Sequence, residues 1–146
     1  MTQEQFESAA VAYLTDQLSG DSTLDAIDYV IRPGRSQETP PGDRSEIVVL
    51  CGEVANFRER LKEAMLECFV RSPADIEGVT LATHSALTKA LELAWASANY
   101  ADWSTAVAAV DSLWVGANYY REGWNGGSEG TDWLPSLRVK TGVSLA

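Results

Sequence analysis

The chain has 146 residues, 45% of them hydrophobic, and a formal net charge of −10. That length suits one domain that can bury a sizeable core, and no run approaches the roughly 18 apolar residues of a membrane-spanning helix. So acidic a balance also excludes wrapping of nucleic acid, which needs clustered Lys and Arg to displace counterions.

Phe6, Ala9, Ala10, Tyr13, Leu14 and Leu18 recur at helical spacing and predict a first helix over about residues 3–19, with one face buried. Thr2 and Gln5 have capping-box spacing, and Gly20 stands where that helix should stop. The run Met1-Thr2-Gln3-Glu4-Gln5 has no basic segment and no long apolar stretch, so no secretory leader is expected. Ile27, Tyr29 and Ile31 alternate with polar residues and predict a strand ending at Pro33-Gly34. The segment from Gly34 to Asp43 contains Pro40-Pro41-Gly42 and reads as an exposed loop. Ile47 to Cys51 is a short β-branched run, hence a second and more buried strand over 46–52.

The next segment fits two periods. Phe57, Leu61, Ala64, Met65, Cys68 and Phe69 make a helical stripe, whereas Leu66, Cys68 and Val70 against Met65, Glu67 and Phe69 suit a strand. A strand over 60–71, stopped at Ser72-Pro73, is preferred because it pairs with 46–52 as a hairpin. Pro73 to Gly78 reads as a turn. Val79, Ala82, Thr83, Ala86, Leu87, Ala90, Leu91, Ala94 and Trp95 form a second amphipathic stripe. An alanine-rich helix is expected near 103–111. Leu113, Val115, Ala117 and Tyr119 alternate, as do Leu137 and Val139, giving two late strands joined by a glycine-rich loop from Gly123 to Gly130. The expected architecture is one α+β domain over 1–146: a mostly antiparallel sheet of four to five strands with two long helices packed on one face.

The short motifs lack the context their chemistry needs. Gly126-Gly127-Ser128-Glu129-Gly130 matches G-x-S-x-G. A nucleophile elbow needs a strand before the serine and a helix after it, and Thr131-Asp132-Trp133-Leu134-Pro135 does not open a helix. His84, the single histidine, precedes the serine. Lys140-Thr141-Gly142 stands without an S-x-x-K partner. Cys51, Cys68 and His84 lack the close spacing of a zinc site, and both cysteines have the apolar neighbours of core thiols in a reducing compartment. Neither catalytic residues, nor a metal, nor a cofactor is expected.

Charge and aromatics point instead to surfaces. The first 31 residues hold six acids and no Lys or Arg, and seven of the eleven basic residues fall between Arg32 and Arg71. All five tryptophans lie at or beyond residue 95, four of them in the last third of the chain. Trp124 and Trp133 flank the glycine-rich loop near Tyr119 and Tyr120, where large aromatics serve as partner anchors or fold back over a sheet edge. Arg32, Arg35, Arg44, Tyr119, Tyr120, Trp124 and Trp133 are the candidate interface residues.

The order of elements resembles the tail-terminator and tail-completion proteins of long-tailed bacteriophages. Four features carry the resemblance. An N-terminal helix ends in Tyr13-Leu14-Thr15-Asp16-Gln17-Leu18, and a strand Glu46-Ile47-Val48-Val49-Leu50-Cys51 follows a proline-rich loop. A long strand ends in Glu67-Cys68-Phe69-Val70-Arg71-Ser72-Pro73-Ala74-Asp75, and a helix carries His84-Ser85-Ala86-Leu87. A closing strand over 133–139 also fits, while 98–131 matches least. The resemblance implies a small α+β structural subunit that forms a hexameric ring, caps the tail tube and presents a docking surface to the head–tail connector. It implies no enzyme activity, and assembly in the host cytoplasm followed by residence in the virion. DNA would pass through the ring without sequence-specific contact, and acidic charge on the lumen would keep it from sticking. A head-completion or neck protein is the nearest alternative. From other classes come a small hydrolase using Ser128 or Cys51 with His84, and a binding module pairing through its aromatic loop.

Overall fold

The computed structural model describes residues 1–34, 44–72, 81–96, 99–125 and 136–145. Helix α1 (Gln3–Ser19) opens on a complete capping box. The Thr2 hydroxyl accepts from the Gln5 N–H at 3.2 Å and the Gln5 side chain accepts from the Thr2 N–H at 2.9 Å. Gly20 ends the helix with a right-handed φ of −86°, so its freedom for left-handed backbone is not what stops the chain. Asp21 takes over there, its carboxylate accepting from the Thr23 N–H at the start of a 3-10 turn. The six residues of the predicted stripe are all buried, and the same face carries a seventh, Glu7, fully enclosed.

Strands β1 (Tyr29–Pro33), β2 (Ser45–Arg58), β3 (Leu61–Arg71), β4 (Trp114–Asn125) and β5 (Ser136–Leu145) form one sheet in the order β1-β2-β3-β5-β4. The sheet is mixed. β1 runs parallel to β2, and the other three pairings are antiparallel. The sheet is thus mostly antiparallel, as expected, with one parallel pairing at its first strand. Parallel pairing needs a connection long enough to carry the chain back to the start of its neighbour, and residues 34–44 provide that length. The ambiguous segment is a strand. Ala64, Leu66, Cys68 and Val70 are buried while Met65, Glu67 and Phe69 are half-buried, a period of two that a helix does not produce.

β2 is twice as long as predicted because a bulge between Cys51 and Val54 breaks its alternation and hides its continuation. Two side chains of α1 hold that bulge. Gln3 Nε2 donates to the Gly52 carbonyl at 2.8 Å, and the Glu7 carboxylate accepts from the Cys51 N–H at 3.0 Å. A bulge takes backbone groups out of the ladder, and the first two turns of α1 supply partners for them. One of the further irregularities lies in β4 between Arg121 and Gly123, where Gly123 has φ +103°. That left-handed backbone is open to glycine at little cost.

Helix α2 (Leu81–Ala94) and helix α3 (Tyr100–Val110) complete the molecule. Among the described residues α3 is the shorter alanine-rich helix expected beside the two long ones, and it begins three residues before its predicted start. The expected turn at 73–78 lies outside the described residues. All three helices contribute to one core with Ile47, Val49, Cys51, Leu66, Cys68, Leu137 and Val139. Leu14, Leu87 and Leu91 are 0% exposed.

At the centre of that core Tyr13, Trp95, Trp103 and Tyr119 meet with ring centroids 4.6–6.3 Å apart, mostly tilted or edge-on, as ring quadrupoles favour. Their polar tips are tied down: Tyr13 donates to the Ala94 carbonyl and Tyr119 to the Ala96 carbonyl. Trp103 Nε1 donates to Thr141 Oγ1 at 2.8 Å, which donates onward to the Asn118 carbonyl at 2.7 Å. No helix among the described residues is long and apolar enough to cross a membrane.

Candidate functional site

The period-two geometry of the sheet sends Glu46, Val48, Leu50, Glu63, Met65, Glu67, Phe69, Arg138 and Lys140 to the face opposite the core. Strand register then decides which charges meet. Glu46 sits beside Arg71 on β3 and receives Arg32 Nε at 2.8 Å from β1 and Arg71 Nη1 at 4.0 Å. Lys140 reaches Glu63 at 2.8 Å, and Arg138 lies 3.7 Å from Glu67. The hydrogen bond from Lys140 to Glu63 raises the lysine's pKa above its ordinary value. These pairs set cross-strand order on a half-solvated face.

The candidate interface residues are not gathered into one patch. Arg32 is consumed by Glu46, with its side chain only 15% exposed, so it is a strand-pairing residue rather than a free cation. Arg44 lies 3.9 Å from an exposed Asp28. Arg35 and Trp133 fall outside the described residues, as does the whole connection 126–135 between β4 and β5. Tyr119 and Tyr120 are neighbours on β4 and therefore point to opposite sides. Tyr119 is 4% exposed in the aromatic core and Tyr120 is 68% exposed. The expectation of Tyr119 as a surface anchor is corrected by that alternation. Trp124 is half-buried, with Nε1 3.5 Å from the Glu92 carboxylate. Trp95, Trp103 and Trp114 are core residues.

The candidate residues for chemistry also separate. Lys140 and Thr141 lie on opposite faces, and Thr141 is fully buried beneath Trp103. Cys51 and Cys68 are free thiols in the core, and burial pushes the Cys68 thiol up to about 12. His84 is not near Cys51. Its Nδ1 lies 2.9 Å from Ser72 Oγ, and Ser45 Oγ donates to Ser72 at 3.4 Å. Ser45 and Cys51 are six positions apart on β2, about 20 Å along a strand. Ser128 lies outside the described residues. The Ser72–His84 contact was not legible in the sequence, since nothing local marks a serine at a strand end as the partner of a helix histidine. A hydroxyl beside an imidazole is the start of a nucleophile–base pair. Among the described residues no carboxylate orients the other ring nitrogen of His84, and no group of three His, Cys, Asp or Glu side chains is placed to hold a metal.

One surface feature had no sequence signal. At the turn between β2 and β3 the outer face of the sheet is hollowed by glycines on neighbouring strands. Leu61, Gly116, Asn118, Gly142 and Ser144 line an open depression of about 290 Å³. Gly116 sits so close to β5 that a Cβ there would lie 2.6 Å from Ser144 Oγ. Leu61, Leu113 and Val115 around it are 37%, 68% and 58% exposed. Arg58, Glu59 and Arg60 form the adjoining turn and are exposed. The sequence matches no protein-family model and no curated protein.

Proposed function

We propose that this chain is a structural assembly subunit, a ring-forming tail-terminator protein that caps a phage tail tube and receives the head–tail connector. The observation that carries the reading is the placement of the polar chemistry. Many of its buried and half-buried polar groups serve strand pairing, a strand bulge and the aromatic core, while Leu61, Leu113 and Val115 are exposed near one end of the sheet. The element order of helix, three strands, two helices and two strands is also the order on which the resemblance rests. The helices contribute to a single core on one side of the sheet, and among the described residues β1 and β4 each keep one unpaired edge, positions where copies of a subunit can join. In this reading the chain carries out no reaction, and DNA crosses the ring without base contacts.

The test adds the purified protein to isolated tail tubes that lack a terminator and images the tube ends. Rings at one end of each tube, with recovery of head joining, are expected. Bare ends at saturating protein would reject the tail assignment. Rings found instead on portal-bearing heads would favour the head-completion role. Arg35→Glu combined with Arg44→Glu tests whether the basic loop takes part: ring formation should weaken at low salt, and unchanged assembly would remove that loop from the contact.

A further inference from the structure

A serine or threonine inside a helix can turn its hydroxyl back to the carbonyl one turn earlier. This chain does so at Thr15, Thr88 and Thr105, whose hydroxyls donate to the carbonyls of Val11, His84 and Ala101 at 2.7–3.0 Å. Ser104, next to Thr105 on α3, reaches to the sheet instead. Its Oγ donates to the Ala117 carbonyl at 2.9 Å and accepts from the Ala117 N–H at 3.1 Å. One hydroxyl thus serves both backbone groups of a single residue on β4. The neighbouring Trp103 fixes this part of the helix, since it is 0% exposed and bonds Thr141 of β5.

The two groups that Ser104 takes lie on the outer edge of the sheet. In an antiparallel pair successive residues turn their N–H and C=O alternately toward and away from the partner strand. Ala117 is opposite Val143 of β5, yet both its groups go to Ser104, so they face away from β5. The Asn118 carbonyl, one residue on, takes the Thr141 hydroxyl of β5 and faces inward. An edge strand offers its outward groups to any other strand that meets it. On β4 the regular stretch is short, because register shifts lie between Trp114 and Gly116 and between Arg121 and Gly123. Alternation leaves Ala117, Tyr119 and Arg121 turned outward within it, and Ser104 occupies the first. The same device appears where β2 runs past the end of β1. There Gln3 and Glu7 of α1 take the Gly52 carbonyl and the Cys51 N–H.

We propose that Ser104 stands in for a neighbouring strand and keeps the β4 edge of the free subunit closed to a second copy. Every copy carries the same edge, so the strand it must refuse first is its own β4. The hydroxyl is suited to this because it satisfies a donor and an acceptor at once, as a paired strand residue would. Its helix also stands where an added strand would have to lie. The consequence for assembly, the one step that rests on the assembly reading, is that a neighbour joining through a sheet edge does so at β1.

Ser104→Ala tests it, with amide exchange followed residue by residue by NMR and association by sedimentation velocity. The position is half-buried and alanine favours a helix, so the variant should fold. The Ala117 amide should exchange at least about five-fold faster than in the natural protein, while the Asn118 amide, turned to β5, keeps its rate. The variant should also form dimers as its concentration rises. Ser104→Thr, which keeps the hydroxyl, should behave as the natural protein does. Adding Ala117→Pro to Ser104→Ala should abolish the dimer, because proline offers no N–H at that edge. An unchanged Ala117 rate, equal acceleration at Asn118, a variant that stays monomeric, or a dimer that survives the proline would each overturn the proposal. No tail tube enters these measurements, so their failure leaves the tail reading standing, and bare tubes leave the closed edge standing.

Discussion

Removing the Thr141 hydroxyl should loosen the joint between α3 and the sheet. Thr141 is buried on β5 and takes the Trp103 indole N–H at 2.8 Å while donating to the Asn118 carbonyl of β4 at 2.7 Å. Thr141→Val keeps the shape and deletes both bonds. It leaves a buried indole N–H without its acceptor, which costs about 1–3 kcal/mol. Trp103→Phe deletes the first bond and part of a ring that is 0% exposed and packs 5.4 Å from Trp95. With a cavity contribution added, its cost should be about 2–4 kcal/mol. The double variant no longer leaves the indole donor orphaned, so its loss should fall short of the sum by about 0.5–1.5 kcal/mol. Urea melts followed by far-UV circular dichroism, at matched slopes, measure all three. Additivity within about 0.3 kcal/mol would show that the two groups do not depend on each other and would refute the relay.

Leu87→Ala, at a position 0% exposed, should cost about 2–5 kcal/mol in the same melts. A loss below about 0.5 kcal/mol would mean that α2 is not part of the core. Arg32→Met should leave Glu46, 4% exposed at its side chain, with Arg71 as its remaining cation. The cost should lie toward the lower end of about 3–5 kcal/mol, and a neutral result would show that Glu46 is solvated. Burial raises the pKa of Tyr13, Tyr29 and Tyr119, so the unfolded chain releases those protons first. Stability should therefore be intact below pH ~10, the ordinary tyrosine value, and fall above it. Tyrosinate absorbance should rise together with loss of circular dichroism, and full titration of all tyrosines in a folded protein would contradict this. Neither Cys51 nor Cys68 should react with a thiol reagent in the native state near neutral pH, and both should react on unfolding. Rapid labelling of folded protein would place a thiol at the surface.

What the sequence determined by itself is what short-range periodicity encodes. The capping box Thr2–Gln5, the buried stripe of α1, the α2 stripe through Leu87 and Leu91, and the two core thiols follow from spacing and local chemistry. The choice of strand for 61–71 follows from which of two periods matches a sheet partner. The tertiary structure decided what depends on neighbours far away in the chain. β1 lies parallel to β2, and no pattern within 29–33 states the direction of the neighbour it will take. The length of β2 was hidden because its bulge breaks alternation just where Gln3 and Glu7 reach across from another element. The same non-local cause sends Tyr119 into the core and Tyr120 to solvent, turns Arg32 toward Glu46, and sets His84 beside Ser72. Gly116 and Gly142 each look like an ordinary strand glycine. Only the pairing of β4 with β5 puts both beneath one depression, since a surface's shape belongs to the residues that folding makes neighbours rather than to any one segment.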